Sequence, residues 1–395
     1  MDDLKRFAIT APVPCSIIEF WKDESEMNGK IASFFAAIAA AVTVMTSCAD
    51  IGRYAAGGTG EESAAESSQT EAAAVETRAS EGLKLKKDST GSYCVLAGIG
   101  NCTDGVVVIP EEYEGLPVRE IKKSAFDSCD SITEVIIPAS VTKIGDFAFR
   151  GCPRLEKAVL GCVAEIGLSM FEDCVSLNTV VLPDGTIEIP TFMLKGCVSL
   201  GGITIPETVK IIRDEAFFGC SSLSDIRLPS GLKSICAGAF SGCTSLKVDD
   251  DFLPSGLVYI GSGILDYPGE IPPMRCAPWS KFWENEDGTR FGTYDYYVGK
   301  YLICLRTGEN RYEVKEGTAL LPECTVLSDY RLDFTLVVPE SVTALSQGWQ
   351  RIPNYKVEYK GSREQWENIP RYNALGNRLP EIDSEDRNIA ITFMK

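Results

Sequence analysis

Hydrophobic and polar positions repeat along the chain with a period of about 23 residues between residues 106 and 248. The clearest marker is a cysteine, at Cys129, Cys152, Cys174, Cys197, Cys220 and Cys243, with spacings of 23, 22, 23, 23 and 23 residues. Self-similarity at a fixed period of this length is typical of solenoid proteins, in which equivalent units stack on one another. The pattern therefore predicts a stack of coils.

Three apolar columns accompany each cysteine. Eight residues before it stand Ile121, Ile144, Ile166, Ile189, Ile212 and Ile235; three before it stand Phe126, Phe149, Phe171, Leu194, Phe217 and Phe240; three after it stand Ile132, Leu155, Leu177, Leu200, Leu223 and Leu246. Columns of this kind predict a continuous buried core, because a single unit cannot bury its apolar side alone. The small residue before each Phe or Leu predicts a short turn of helix.

Short alternating runs such as ITEVIIP and LSDIRLP predict one strand per unit. A proline ends most of these runs, where it removes no ladder hydrogen bond. Six strands about 4.8 Å apart would form a parallel sheet roughly 30 Å long. The outward positions of this sheet are candidate ligand-binding residues, or plain solvent-exposed surface. The polar ones are Glu134, Lys157, Thr179, Thr204, Asp225 and Arg227, and the apolar ones beside them are Ile136, Val159 and Val181.

The repeat loses its register after residue 248. Residues 254–265 keep the proline-to-isoleucine spacing but lose the Phe and Cys, and residues 274–297 are rich in aromatics. Trp279 and Trp283 in that stretch are candidate ligand anchors, or buried packing residues of a cap. Residues 298–314 predict two strands joined by a turn at 307–310. Ser362 and Gln365 suit a capping box.

The N-terminal residues have the layout of an export signal. Lys30 precedes an apolar run at residues 31–45, and Thr46, Ser47 and Cys48 follow that run. This resembles a bacterial lipoprotein signal, in which Cys48 would be lipidated; an uncleaved membrane helix and a core helix are the alternatives. Met27 is an alternative start. Residues 49–82 are rich in Ala, Gly, Ser and Glu and predict a disordered acidic tether.

The composition limits the kinds of ligand and reaction that the chain can support. The net charge is −18 with a pI of about 4.6, which argues against nucleic-acid binding. There is no histidine, so His-based catalysis and most catalytic zinc sites are excluded. No C-x-x-C occurs among the 15 cysteines, and the six repeat cysteines are expected to be buried thiols, with disulfides and metal ligation as alternatives. We expect no metal and no cofactor. Cys94 and Cys102 could pair.

The unit L-x-x-I-x-I-P-x-x-V-x-x-I-x-x-x-A-F-x-x-C resembles the BspA-like (Treponema pallidum type) leucine-rich repeat family. Six copies lie in residues 106–248, and residues 93–121, 337–345 and 359–369 resemble the flanking segments of such arrays. The resemblance implies a repeat solenoid, β-rich α/β, with a right-handed coil and a parallel β-sheet on one face. It also implies a surface or secreted protein used for attachment or protein binding, without catalytic residues.

These observations predict four regions: a leader at residues 1–48, a linker at 49–82, a repeat array with an N-terminal cap at 83–268, and degenerate repeats with a C-terminal cap at 269–395. The expected function is a membrane-anchored lipoprotein of the cell envelope, exposed to the periplasm or cell exterior. It would bind an extracellular protein or glycan, with adhesion to host or other cells as the specific hypothesis. A scaffolding envelope lipoprotein and an uncharacterised hydrolase are the alternatives.

Overall fold

The structure is a computed structural model. It describes residues 78–161, 164–266, 294–307, 310–323, 326–328, 334–348, 355–379 and 389–395. All of them belong to the second of the two units into which the chain divides, Val75–Lys395. The predicted lipidation site Cys48 and the aromatic candidates Trp279 and Trp283 lie outside the described residues.

Residues 78–266 form a first array of stacked coils. Its strands are β1 (Leu85–Lys87), β2 (Cys94–Leu96), β3 (Val106–Val108), β4 (Glu112–Tyr113), β5 (Leu116–Ile121), β6 (Glu134–Ile137), β7 (Lys143–Ile144), β8 (Lys157–Leu160), β9 (Glu165–Ile166), β10 (Thr179–Val181), β11 (Glu188–Ile189), β12 (Gly202–Thr204), β13 (Ile211–Ile212), β14 (Asp225–Arg227), β15 (Ser234–Ile235) and β16 (Tyr259–Ile260). The predicted solenoid with a parallel sheet is confirmed.

Each coil contributes two strands to two different ladders. The wide ladder pairs β3, β6, β8 and β10 in order and continues with the pair β12 and β14. The narrow ladder pairs β2, β5, β7 and β9, then β11, β13, β15 and β16. All these pairings are parallel; β1 and β4 add antiparallel edges. The sequence predicted only the wide ladder, because two-residue strands are too short to show alternation.

The predicted helical turn at the ladder cysteine is wrong. Each coil instead makes a non-helical turn containing two residues with positive φ, five positions and one position before the cysteine. The first set is Ser124, Phe147, Ser169, Phe192, Glu215 and Gly238, and the second is Ser128, Gly151, Asp173, Gly196, Gly219 and Gly242. Left-handed residues reverse the chain direction more sharply than a helical turn does, and glycine takes that conformation without a Cβ penalty.

The interior of the first array is a stack of equivalent side chains. Phe126 and Phe149 stack with ring centroids 4.8 Å apart and an interplanar angle of 9°. The cysteines lie beside the rings, and each thiol from Cys152 onward donates to the carbonyl three residues before the preceding cysteine. These contacts are Cys152 to Phe126, Cys174 to Phe149, Cys197 to Phe171, Cys220 to Leu194 and Cys243 to Phe217, at 3.0–3.2 Å. The predicted buried thiols are confirmed for these five.

Both ends of the first array are closed by specific contacts. At the start, Ser80 donates its N–H to the carbonyl of Val108 and accepts from the Val108 N–H, so the folded part includes Ser80. At the far edge of β16, the Ile260 N–H donates to the hydroxyl of Ser346, and the Ile260 carbonyl accepts from the Glu323 N–H. An exposed strand edge is an aggregation hazard, and these contacts cover it.

A second array follows at residues 294–395. Its elements are β17 (Tyr294–Val298), β18 (Tyr301–Thr307), β19 (Arg311–Glu313), β20 (Leu320–Leu321), β21 (Val326–Ser328), β22 (Phe334–Val338), β23 (Ala344–Ser346), β24 (Tyr355–Tyr359), α1 (Arg363–Glu367), β25 (Arg371–Tyr372) and β26 (Ala390–Phe393). One ladder runs β18, β20, β23, β25 and the other β19, β22, β24, β26, all parallel.

The two strands predicted within residues 298–314 are confirmed as β18 and β19. β18 and β19 lie in different ladders, because successive strands of a coil do not pair with one another. The hairpin is β17 with β18, which turns at Gly299 and Lys300. It repeats the arrangement at the start of the first array, where β1 and β2 form the antiparallel pair.

The capping box at α1 is confirmed. The Ser362 hydroxyl accepts from the Gln365 N–H, and the Gln365 side chain accepts from the Ser362 N–H. Within the helix, Trp366 is 3% exposed and packs on Tyr359, with 5.1 Å between the ring centroids.

The described residues contain no helix that is long and apolar enough to cross a membrane.

Candidate ligand-binding face

The outward side of the wide ladder carries the predicted site residues in two columns. In the first column, Glu134, Lys157 and Thr179 are aligned on adjacent strands. In the second, Ile136 lies beside Val108 and Val159, and Val159 lies beside Val181. The intervening residues point inward and are buried. The structure therefore brings Glu134, Lys157 and Thr179 together as the alternation predicted.

The second column is an apolar row on an outward surface, consisting of Val108, Ile136, Val159 and Val181. Val181 is 46% exposed, and Val106, which begins the first column, is 45% exposed. Val106 and Val108 were not among the predicted candidates, although the alternating run before Pro110 could have identified them. Four aliphatic side chains on adjacent strands form a continuous apolar strip about 15 Å long.

One ion pair borders the apolar row. The Lys157 ammonium lies 2.7 Å from the Glu134 carboxylate, with the two side chains 45% and 23% exposed. A pair this exposed contributes little to stability. It does fix one positive and one negative group beside an apolar surface, where a ligand can contact both.

The remaining predicted residues lie on the last two strands of the wide ladder. Thr204 is aligned with Arg227, and Asp225 is aligned with Gly202. Thr204, Asp225 and Arg227 are exposed. Gly202 has no side chain to cover Asp225 on the adjacent strand. This end of the outward face is therefore polar and exposed to solvent.

The outward face of the second array has a different character. The Arg311 guanidinium forms two hydrogen bonds with the Glu358 carboxylate, at 2.8 and 2.7 Å, across the intervening strand β22. Lys360 pairs with Glu313 at 2.5 Å. The hydrogen bond from Arg311 lowers the pKa of Glu358, and the one from Lys360 lowers the pKa of Glu313. Most charge on this face is therefore already paired.

The buried cysteines of the first array offer no reactive site. Cys94 and Cys102 are both buried free thiols in the structure, and the Cys94 thiol donates to the Tyr113 carbonyl at 3.4 Å. Burial raises the pKa of Cys197, and it raises the pKa of Cys236 to about 12. A thiol in such surroundings stays protonated and unreactive. No cluster of Cys, Asp or Glu suited to a metal ion occurs in the described part of the chain.

These ladders define a leucine-rich repeat solenoid. A family model described as "BspA type Leucine rich repeat region (6 copies)" matches residues 164–267. The Treponema pallidum leucine-rich repeat protein TpLRR is 32% identical over 46% of this chain and 85% of that chain, with a TM-score of 0.43. The chain therefore belongs to the BspA-type leucine-rich repeat family.

Two further solved structures are similar over longer stretches. A leucine-rich repeat protein from Bacteroides ovatus is 17% identical over 80% of this chain and 99% of that chain, with a TM-score of 0.32. A protein from Faecalibacterium prausnitzii, described as a leucine rich cell surface protein, is 19% identical over 74% of this chain and 97% of that chain, with a TM-score of 0.26. No curated protein sequence matches this chain.

Proposed function

We propose that the protein is a lipid-anchored component of the cell envelope whose first array binds an extracellular protein or glycan in adhesion to host or other cells. The observation that carries the proposal is the apolar row Val108, Ile136, Val159 and Val181 on an outward sheet face. Contiguous apolar surface beside fixed charges and hydroxyls is characteristic of binding surfaces. In this proposal the array has a binding role and no catalytic one.

The anchor in this proposal is Cys48, after the apolar run at residues 31–45. Lipidation there would hold the arrays at the membrane surface through the residues between Cys48 and Ser80, where the folded part begins. A Cys48→Ala variant should move the protein from the membrane fraction to the soluble fraction when cells are fractionated. Retention of that variant in the membrane would contradict the lipoprotein assignment.

Binding is tested by screening the full chain against immobilised glycans and extracellular-matrix proteins. Val159→Asp places a charge in the middle of the apolar row and should weaken binding at least about tenfold. Thr335→Asp is the matched control, because Thr335 is a half-buried outward residue on the second array. Circular dichroism checks that both variants fold.

Two results would overturn the adhesion proposal: binding to none of the immobilised molecules, or equal binding by Val159→Asp and the unmodified protein. A scaffolding role in the envelope is the second candidate, and the paired charges on the second array favour it for that half. Such a surface presents few free groups to a ligand.

A further inference from the structure

A third side of the first array carries an unusual row of side chains at the turn before the ladder cysteine. Phe147, Ser169 and Phe192 occupy the same position in three successive coils, with φ of 59°, 53° and 58°. Because the backbone conformation repeats, the three side chains leave the backbone in the same direction. The two rings therefore flank the much shorter serine.

The ring of Phe147 has cations on the side of the preceding coil. The Lys123 nitrogen lies 5.1 Å from the ring centroid and the Arg150 guanidinium carbon 4.8 Å. Arg150 also forms two hydrogen bonds with Asp127 of the preceding coil, at 3.2 and 2.8 Å.

The ring of Phe192 has its cation on the side of the following coil. The Lys195 nitrogen lies 4.7 Å from the Phe192 centroid and 5.1 Å from the ring of Phe218 in the next coil. It pairs there with Glu215 at 2.7 Å. The cations at Phe147 thus lie in or pair with the preceding coil, and the cation at Phe192 pairs with the following coil. Among the described residues, none of them has an ion-pair partner in the coil of Ser169 that lies between.

The hydroxyl of Ser169 has no hydrogen-bond partner in the described part of the chain. The residue is only 1% exposed. A hydroxyl can donate one hydrogen bond and accept two, and leaving a buried one unsatisfied costs about 1–3 kcal/mol. A ligand group that reaches this hydroxyl would therefore supply a hydrogen bond that the folded chain does not.

A carboxylate occupies the place where the flanking coils have cations. Two positions before the cysteine stand Arg150 and Lys195, each over the ring of its own coil, whereas the coil between them has Glu172. Neither Glu172 nor Asp173 has a cation within salt-bridge distance among the described residues. Around the row, five carboxylates face three cations, a formal charge of −2: Asp127, Asp146, Glu172, Asp173 and Glu215 against Lys123, Arg150 and Lys195.

We propose that Phe147, Ser169, Glu172 and Phe192 form an arginine notch, a site for an arginine side chain of a partner protein. Two coil spacings place the rings about 10 Å apart, so a cation midway lies about 5 Å from each centroid. This is within the ~6 Å over which cation–π attraction acts, and the chain's own cations lie 4.7–5.1 Å from the same rings.

Arginine fits this notch better than lysine does. Its guanidinium is planar, stacks on aromatic rings and carries five N–H donors. One donor can reach the Ser169 hydroxyl while others pair with the Glu172 carboxylate, which satisfies both groups. The notch lies on a different side of the coil from the outward face of the wide ladder, so it does not depend on ligand binding there.

The test is an NMR titration of the full chain labelled with ¹³C-phenylalanine. The probes are a blocked Gly-Arg-Gly peptide and its citrulline counterpart, which keeps the shape but has no charge. The Phe147 and Phe192 ring signals should shift with the arginine peptide, and the citrulline peptide should bind about fivefold more weakly. Glu172→Gln and Phe192→Gly should each weaken arginine-peptide binding by a similar factor.

Glycine is a conservative replacement at position 192, because Gly238 already stands at the equivalent position of a later coil. The matched control is Ser124→Gly, which makes the same kind of change at the equivalent exposed position of the first coil. It should leave peptide binding unchanged. Equal binding of the two peptides, an unaffected Glu172→Gln variant, or equal weakening by Ser124→Gly would each overturn the proposal.

Discussion

The two outward β faces are built on the same parallel ladder but use their side chains differently. On the first array a single ion pair, Glu134 with Lys157, borders an apolar row. On the second array, Arg311 reaches across a strand to Glu358, and Lys360 pairs with Glu313. Side-chain pairs on adjacent strands stabilise the pairing and register of those strands when the side chains meet in good geometry. The charged side chains of the second face are therefore paired with one another, whereas the outward side chains of the first face remain available to a ligand.

The interiors explain this difference. In the first array the phase of each coil is fixed from inside, by stacked phenyl rings and by thiols that bond to the preceding coil. Outward positions can then vary without loss of register. Among the described side chains of the second array there is neither a column of stacked phenyl rings nor a column of thiols. The buried residues there are of several types, and Phe334, Tyr359 and Trp366 are the largest of them. There, charge pairs on the surface support the register.

The largest expected effect comes from removing a ring of the phenyl column. Phe171 is fully buried and stacks on Phe149 at 5.7 Å, so Phe171→Ala should lower the free energy of unfolding by about 3–5 kcal/mol. Urea unfolding is followed by circular dichroism, which reports both arrays, and by tryptophan fluorescence. All five tryptophans lie outside residues 78–266, so fluorescence does not report the first array directly.

Both signals should shift together in Phe171→Ala. One buried cluster runs from Ile260 of the first array to Tyr301 and Leu320 of the second, which makes the arrays a single cooperative unit. Val198→Ala, at a 40% exposed position, is the control and should change stability by less than about 0.5 kcal/mol. A fluorescence transition that stays in place while circular dichroism shifts would show that the arrays unfold separately.

A smaller effect is expected from the thiol column. The Cys197 thiol donates to the Phe171 carbonyl at 3.2 Å, and that carbonyl also accepts from the Cys174 N–H. Cys197→Ala therefore removes one of two hydrogen bonds to the carbonyl and opens a small gap. The expected loss is about 1–3 kcal/mol in urea unfolding under reducing conditions. Cys129→Ala is the matched control, because Cys129 is half-buried and its thiol hydrogen-bonds with the Ser131 hydroxyl and with no carbonyl of the described residues. Equal losses in the two variants would mean that the carbonyl contact is unimportant.

Sequence alone predicted the parts of the fold that repeat. The columns at Ile144, Phe149 and Cys152 recur in every coil, with Leu194 in place of one phenylalanine, so their burial followed from periodicity, as did the strands ending at proline. The narrow ladder was missed because each of its strands has two residues. The left-handed turns were missed because residues as large as Phe147 and Phe192 stand where glycine is the usual signal.

The sequence alternation predicted both columns of the candidate face, with Ile136, Val159 and Val181 beside Glu134, Lys157 and Thr179. It missed the first strand, where Val106 is 45% exposed. The arginine notch had no sequence signal. It depends on where Lys123, Arg150 and Lys195 lie relative to the two rings, which the sequence does not show.

The smallest expected effect tests the charge pairs of the second face. Glu358→Gln removes the bidentate pair with Arg311 and should lower the free energy of unfolding by about 0.2–1 kcal/mol at pH 7. The pKa of Glu358 is lowered from its ordinary value of 4.5 in the folded protein. Its contribution is therefore present above pH 4.5 and is lost as the pH falls through the folded pKa. The variant and the unmodified protein should converge in that range.

The matched control is Glu134→Gln on the first face, which removes a single contact with Lys157 in place of two with an arginine. Lysine pairs as a point charge without fixed geometry, so the change in stability at pH 7 should be smaller than for Glu358→Gln. If the two variants lose the same free energy of unfolding, the charge pairs of the second face stabilise strand register no more than the ion pair of the first face does. Both faces would then be equally free to bind a ligand, and the charge pairs would no longer distinguish the two arrays.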